Sequence, residues 1–286
     1  MRLLVTGATG FIGSHFVNAA TAAGHQVLAL RRPGSLPRVP VGEAVHWLET
    51  SLVGVTERNL HAVDALVHFA AEGVSPASAT WQGCFQTNVI DSLALWTTAV
   101  RGGVKRFVIC GTCFEYGVSG SLYAAIPPTA PLEPTGPYHA SKAAATMAAL
   151  ALAHHEQISM VVLRPFHVFG EGKEGTRLWP SLRRAASSGA DYPMTKGEQI
   201  RDFVPVEEVA AVFLNVCENV SLEPGRPEVH NVGTGTPLTI LSFAEHWWRV
   251  WAAKGQLQPG AIPYRPGEVM RYVPELTLQC FRSTRP

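Results

Sequence analysis

Leu3-Leu4-Val5-Thr6-Gly7-Ala8-Thr9-Gly10-Phe11-Ile12-Gly13 opens the chain, and its reading decides the fold. An apolar run of strand length enters a glycine turn at once. In Gly7-x-x-Gly10-x-x-Gly13 the first glycine permits a tight turn after the strand. The second lets backbone approach phosphate, and the third lets the following helix pack on the sheet. A dinucleotide pyrophosphate placed there meets free N–H groups and the positive end of a helix dipole. Glycines alone are a weak signal, but a strand before and a helix after supply the context this mechanism needs.

Outward from that turn, apolar runs alternate with helix-length segments. Residues 2–6, 26–30, 44–48, 65–69, 106–110 and 160–163 read as strands, rich in Val, Leu or Ile without polar alternation, as in strands buried on both faces of a parallel sheet. Residues 11–23, 80–100 and 138–157 read as helices between them. The alternation implies right-handed crossovers and an α/β, doubly wound parallel-sheet Rossmann fold with a smaller C-terminal substrate-binding lobe. The expected division is 1–168 for the dinucleotide-binding domain, with 203–234 returning to it, and 169–202 plus 235–286 for the lobe. The texture supports this, because 170–173, 190–197 and 259–267 are rich in Gly and Pro. Residues 276–286 lack the closing helix expected there.

Composition narrows the partners. With 286 residues, 47% apolar and 16% charged, the chain is globular and can build a large core. A net charge of +1 argues against nucleic acid or an anionic membrane, leaving a small molecule. The apolar stretch 143–153 is too short to span a bilayer, and the N-terminal run has no cleavage region. Five cysteines, an odd number, fit a reducing compartment, so a cytoplasmic location is expected. No metal-ligand spacing stands out, and Cys110-x-x-Cys113 ends a strand instead of opening a helix, which argues against redox use.

Two features carry chemistry. Leu30-Arg31-Arg32-Pro33 ends the second strand without the acid that usually binds ribose hydroxyls, and guanidinium groups suit a 2′-phosphate. NADP(H) is therefore favoured over NAD(H). Tyr138 and Lys142 lie four apart on one helix face. A free phenol titrates at about 10, and a neighbouring ammonium favours its ionised form.

Together with the glycine turn, Tyr138-x-x-x-Lys142 resembles the short-chain dehydrogenase/reductase superfamily, in its extended, nucleotide-sugar-modifying branch. Along nearly the whole chain further segments are similar: Val67-His68-Phe69-Ala70-Ala71 beside the cofactor, Asn88 in Thr87-Asn88-Val89, and Thr112 in Cys110-Gly111-Thr112-Cys113-Phe114-Glu115-Tyr116-Gly117. The resemblance implies Thr112, Tyr138 and Lys142 as catalytic residues. It implies a cofactor surface of Gly7, Thr9, Gly10, Phe11, Ile12, Gly13, Arg31, Arg32, Ser51, Leu52, Phe69, Ala70, Ala71, Asn88, Tyr138, Lys142, Pro165 and Val168. Thr112, Cys113 and Phe114 would face substrate. Segments 197–204 and 264–268 look like family segments whose arginines hold a sugar-nucleotide diphosphate, so Arg201 and Arg265 form the expected clamp, with Arg177 a third candidate. Similar proteins pair through the helix 143–153, which implies a homodimer.

Departures refine this. Dehydratases of the family carry Asp-Glu after the catalytic Thr; here Cys113 and Phe114 stand there, and Glu115 is one residue late, facing the other way. Thr50-Ser51-Leu52 replaces a Gly-Asp-Leu that contacts adenine. Trp247, Trp248 and Trp251 read as core packing or a subunit contact. The expected activity is NADPH-dependent reduction of a nucleoside-diphosphate 4-keto-(6-deoxy)sugar. The alternatives are a nucleotide-sugar 4-epimerase with tightly bound NAD, or a non-catalytic NADP sensor.

Overall fold

The computed structural model describes residues 1–278. Strands β1 (Arg2–Thr6), β2 (Gln26–Arg31), β3 (His46–Glu49), β4 (Ala65–His68), β5 (Arg106–Cys110) and β6 (Ser159–Pro165) join Glu228–Val232 in one seven-stranded sheet. Its order is Glu228–Val232, β6, β5, β4, β1, β2, β3, and every pairing is parallel. The strand Glu228–Val232, within the segment 203–234 expected to return, is thus at the sheet edge, while the third strand starts two residues later than its apolar run suggests.

Successive residues of a strand face opposite sides, and the core divides accordingly. Leu3, Val5, Val67, Val108 and Leu163 face helices α1 (Phe11–Ala22) and α6 (Val206–Asn219). Leu4, Leu66, Phe107, Ile109 and Val162 face α3 (Ser92–Arg101) and α4 (Pro137–Glu156). Burial on both faces explains why these strands read as unbroken apolar runs.

The helix expected over 80–100 is not uniform. It runs as α2 (Trp81–Phe85), a π-helical stretch Gln86–Asp91, and α3. Such widened turns occur often at functional sites, and this one contains Asn88.

Beyond β6 the chain builds short pairings. His167–Phe169 runs parallel to Phe203–Pro205, and Ile200–Arg201 lies between Leu238–Thr239 and Arg271–Tyr272. Helices α5 (Leu178–Ser188) and α7 (Ile240–Val250) enclose an aromatic core. There Trp247 and Trp251 stand 4.8 and 5.0 Å from Trp179, and Phe243 stacks on Phe203 at 3.9 Å. Trp248 packs near Tyr192. The tryptophans therefore serve core packing. Residues 276–278 carry no regular element, and the rest of the unread tail lies outside the described residues. Among the described residues no helix is long and apolar enough to cross a membrane.

Candidate functional site

The glycine turn is a backbone cradle. Gly7 takes φ +65°, and a Cβ there would stand 2.5 Å from the Ala70 nitrogen; one on Gly13 would stand 2.1 Å from the Gly7 oxygen. Side chains are excluded by the close approach of β1, α1 and the end of β4. Helix α1 starts at Gly10 with no side-chain cap and no acidic residue in its first turn. Its first N–H groups are thus left for an anion. This cradle fits a dinucleotide pyrophosphate. Thr9 is tied to Ser35 (2.8 Å), and Ala70 N donates to Thr6 Oγ1. Phe69 turns its ring into the core, 5.2 Å from Phe16 and 4.7 Å from Phe213, leaving only its backbone for the site.

Behind the cradle His68 is locked. Ser92 Oγ donates to the Thr87 carbonyl, so it accepts from His68 Nε2 (3.1 Å), and His68 Nδ1 accepts from Thr6 Oγ1 (2.9 Å). Burial, then the nearby Lys142 charge, lowers the imidazole to about 3, so it stays neutral.

At the end of β2 the structure corrects one expectation. An acid is near: the parallel register sets Glu49 of β3 opposite Arg31, and its carboxylate lies 3.3 Å from Arg31 Nε. The Arg31 guanidinium also covers Trp47 at 5.1 Å. Beside them lies a cavity of about 350 Å³ lined by Arg31, Arg38, Trp47 and residues 37–41. Arg32 and Ser51 are exposed, and Leu52 opens a short 3₁₀ turn after β3.

The catalytic candidates converge at the end of β5 and the start of α4. Pro137 occupies the first turn of α4, where its missing N–H costs nothing, and the helix presents Tyr138 and Lys142 on one face. Lys142 Nζ donates to the Cys110 carbonyl at 2.7 Å. Thr112 is buried, and its hydroxyl accepts from Phe114 N at 3.4 Å. The Tyr138 phenol departs from expectation. Burial raises it above its ordinary range, Cys110 and Glu115 add to the rise, and Arg177 opposes it. The Arg177 charge does not offset that rise, so the protein's own groups do not draw the half-buried phenol below its ordinary range.

Glu115 is wholly buried and structural. Its carboxylate accepts from Thr112 N (2.8 Å), Thr146 Oγ1 (2.8 Å) and Arg164 Nε (2.8 Å), tying β5, α4 and β6 together. Removing one partner of such a pair costs about 3–5 kcal/mol. Asn88 is also a strut. Its oxygen accepts from Glu72 N, and its amide donates to the Glu72 carbonyl and Ser141 Oγ, so both N–H groups are used inside the protein. This corrects its expected place on the cofactor surface. Cys113 is fully buried, correcting its place facing substrate; burial pushes both it and Cys110 up to about 12, which removes the thiolate a redox pair needs.

Phe114, expected to face substrate, is ringed by side chains. It stacks on His139 (5.0 Å), meets His167 edge-on (6.1 Å) and lies under the Arg177 guanidinium (5.5 Å). Arg177 also donates to the Val74 carbonyl at 3.0 Å. Segments 197–204 and 264–268 do meet, through Tyr264 OH donating to Glu198 (2.8 Å) and Arg201 facing Glu268 (3.5 Å). Arg201 is buried and donates to the Ile200 and Val269 carbonyls; it does not pair with Asp202, which holds Thr234 and Gly235. Arg265 is different: it is exposed at the start of a turn closed by Glu268 N donating to its carbonyl, and its side chain has no hydrogen-bonding partner among the described residues. Pro165 ends β6, and Val168 is buried beside it.

Lys173, His68 and the anchoring role of Glu115 escaped sequence reasoning. Lys173 lies in a glycine-rich loop with no motif, and neither His68 nor Glu115 shows its partners until the strands are side by side. Among the described residues no three His, Cys, Asp or Glu are grouped to hold a metal.

A glycine cradle at the carboxyl ends of a doubly wound sheet, facing a Tyr-x-x-x-Lys helix, defines a nicotinamide-dependent enzyme of the extended short-chain dehydrogenase/reductase class. More narrowly, the chain belongs to the NAD dependent epimerase/dehydratase family, whose model matches residues 3–233. It is 32% identical to a dTDP-glucose 4,6-dehydratase of Streptomyces antibioticus over 84% of this chain and 74% of the relative. Its fold superposes on a UDP-glucose 4-epimerase from Thermotoga maritima, solved with UDP-glucose, with TM-score 0.83 and 25% identity over 97% of this chain and 90% of the other. A dTDP-glucose 4,6-dehydratase from Streptomyces venezuelae, solved with NAD, gives TM-score 0.79 and 27% identity over 96% and 88%.

Proposed function

We propose that the protein reduces the carbonyl of a nucleoside-diphosphate 4-keto-(6-deoxy)sugar, with NADP(H) as its cofactor. The observation that carries this reading is the convergence of Thr112, just beyond the end of β5, with Tyr138 and Lys142 on one face of α4, where Lys142 Nζ reaches the Cys110 carbonyl. A protonated phenol is ready to donate, which reduction requires, whereas alcohol oxidation first requires a base. When bound, the cofactor supplies a hydride for the carbonyl carbon. Tyr138 then gives its proton to the carbonyl oxygen, Thr112 orients that oxygen, and Lys142 exchanges the Cys110 carbonyl for the ribose hydroxyls. Elimination of water is disfavoured, since Cys113 and Phe114 occupy the acid and base positions and Glu115 is fully bonded elsewhere.

Arg32, exposed just after β2, supports a 2′-phosphate and hence NADP(H), beside a cavity lined by Arg31 and Arg38, which pair with Glu49 and Glu174. Arg177 and Arg201 are read as the diphosphate clamp. A homodimer is also proposed, through the face where Trp81, Ile90 and Met147 are exposed on α2, the π-helical stretch and α4. A single-chain mass by light scattering at micromolar concentration would refute it.

The test is loss of absorbance at 340 nm with NADPH or NADH and a panel of nucleoside-diphosphate 4-keto-6-deoxy sugars. Turnover with NADPH and one panel member is expected. Tyr138→Phe should cut that rate about 10²- to 10⁴-fold while cofactor affinity stays near wild type. The similarity to UDP-glucose 4-epimerases favours a second reading, a 4-epimerase. No absorbance loss with either cofactor, together with co-purifying NAD and interconversion of nucleotide hexoses, would select it.

A further inference from the structure

Lys173 stands between the two halves of the site without a carboxylate partner. It follows the strand His167–Phe169, and its ammonium donates to the Val168 carbonyl and lies 5.6 Å from the Phe11 ring, at the first residue of α1. The acids next to it in sequence are turned away: Glu171 pairs with Arg183 and Glu174 with Arg38. Among the described residues no carboxylate comes within 4.0 Å of its nitrogen. The charged group that faces it is another cation, Arg177 at the start of α5, while His167 and the Cys113 thiol are neutral.

A half-buried ammonium beside a guanidinium is unfavourable unless an anion joins it. The cradle side offers the place of a dinucleotide pyrophosphate at α1, and the Arg177 side that of a sugar-nucleotide diphosphate. We propose that Lys173 is a pyrophosphate-binding residue, its ammonium leaving the Val168 carbonyl for a phosphate oxygen of the bound ligand. This rests on the reading of the site given above. Burial, then Arg177, lowers the ammonium to about 8. An arriving anion raises it again, so binding near or above pH 8 takes up a proton and weakens as pH rises further.

The test is calorimetric binding of two probes, ADP-ribose for the cofactor pyrophosphate and uridine or thymidine diphosphate for the substrate, to the full-length chain. Lys173→Met should weaken one probe at least tenfold, and the probe that loses affinity names the pyrophosphate. Lys173→Arg, which keeps the charge, should stay within about threefold. At pH 8.5, in two buffers of different ionisation heat, wild type should take up protons with that probe and Lys173→Met should not. Wild-type affinity of a folded Lys173→Met for both probes overturns the proposal. If that variant does not fold, absence of proton uptake by wild type overturns it instead. Failure of the functional reading looks different: nucleoside diphosphate then does not bind wild type at all, while an effect of Lys173→Met on ADP-ribose still stands.

Discussion

The glycine cradle and the cation cluster face each other across the site, and they are built in opposite ways. The cradle is backbone, contained in Gly7 to Gly13, and pressed against Phe69 and Ala70 so closely that a methyl group has no room. The cluster is side chains: Lys173 from a loop, Arg177 from the start of α5 and Arg201 from a two-residue strand, with the neutral His167 on the strand His167–Phe169. Backbone N–H groups at a helix start are fixed by the fold and neutral in charge count. Clustered cations repel one another and are completed only by an anion. One end is therefore preorganised, and the other is conditional on its ligand.

The largest effect that tests this contrast is Gly13→Ala. Its Cβ would stand 2.1 Å from the Gly7 oxygen, so the turn and the helix start must separate. Overpacking of this kind costs about 1–3 kcal/mol of stability. Loss of two charge-assisted backbone bonds would lower dinucleotide affinity about a hundredfold or more. Gly42→Ala, where the added methyl meets open space, is the control. Titration of both variants with NADPH decides the matter: equal affinities would mean the cradle does not hold the cofactor.

The same contrast explains what the sequence makes legible. Local signals read well, because the glycines, the apolar strands and the Tyr138–Lys142 spacing each depend on a few neighbours. Partners set by register do not. Arg31 reads as free of acids because Glu49 is eighteen residues away and becomes its neighbour only when β3 pairs with β2. Asn88 reads as a ligand, yet a π-helical turn aims it at Glu72 and Ser141. Glu115 reads as facing away on the rule for an extended segment, yet Cys113–Glu115 is a 3₁₀ turn, and nothing in the sequence shows that Thr112 N, Thr146 and Arg164 receive its carboxylate. Lys173 is silent in sequence because its isolation comes from the pairing of its neighbours Glu171 and Glu174.

A smaller effect is expected at the cluster from Arg201→Met. If Arg201 meets the diphosphate, the affinity for uridine or thymidine diphosphate falls about tenfold to a hundredfold, as for loss of one hydrogen bond to a charged group. Dinucleotide affinity should hold, because the cradle is independent of this side chain. Arg201 also donates to the Val269 carbonyl and faces Glu268. A purely structural arginine would instead lower the melting temperature and leave both affinities alone.

The smallest effect separates the two ends by pH. His68, behind the cradle, and His167, in the cluster, are each lowered to about 3, chiefly by burial. Unfolding frees each to take a proton below its ordinary 6.5, so the unfolded state binds more protons and stability falls as pH falls from 6.5 toward 3. At pH 5.5 each histidine should have cost the native state about 1.4 kcal/mol relative to pH 7.5. Replacement by Phe removes that share at either site, but the cost at neutral pH differs. His68→Phe leaves the Thr6 hydroxyl without its acceptor and removes the donor to Ser92 Oγ, at about 1–3 kcal/mol. His167 has an unbonded Nδ1 among three aromatic rings, Phe114, Phe203 and Tyr272, so His167→Phe should be close to neutral at pH 7.5. Urea unfolding of the three proteins at both pH values measures this. Equal losses at pH 7.5 would show that His167 is bonded as fully as His68, and the contrast between a finished cradle and an unfinished cluster would fail at that residue.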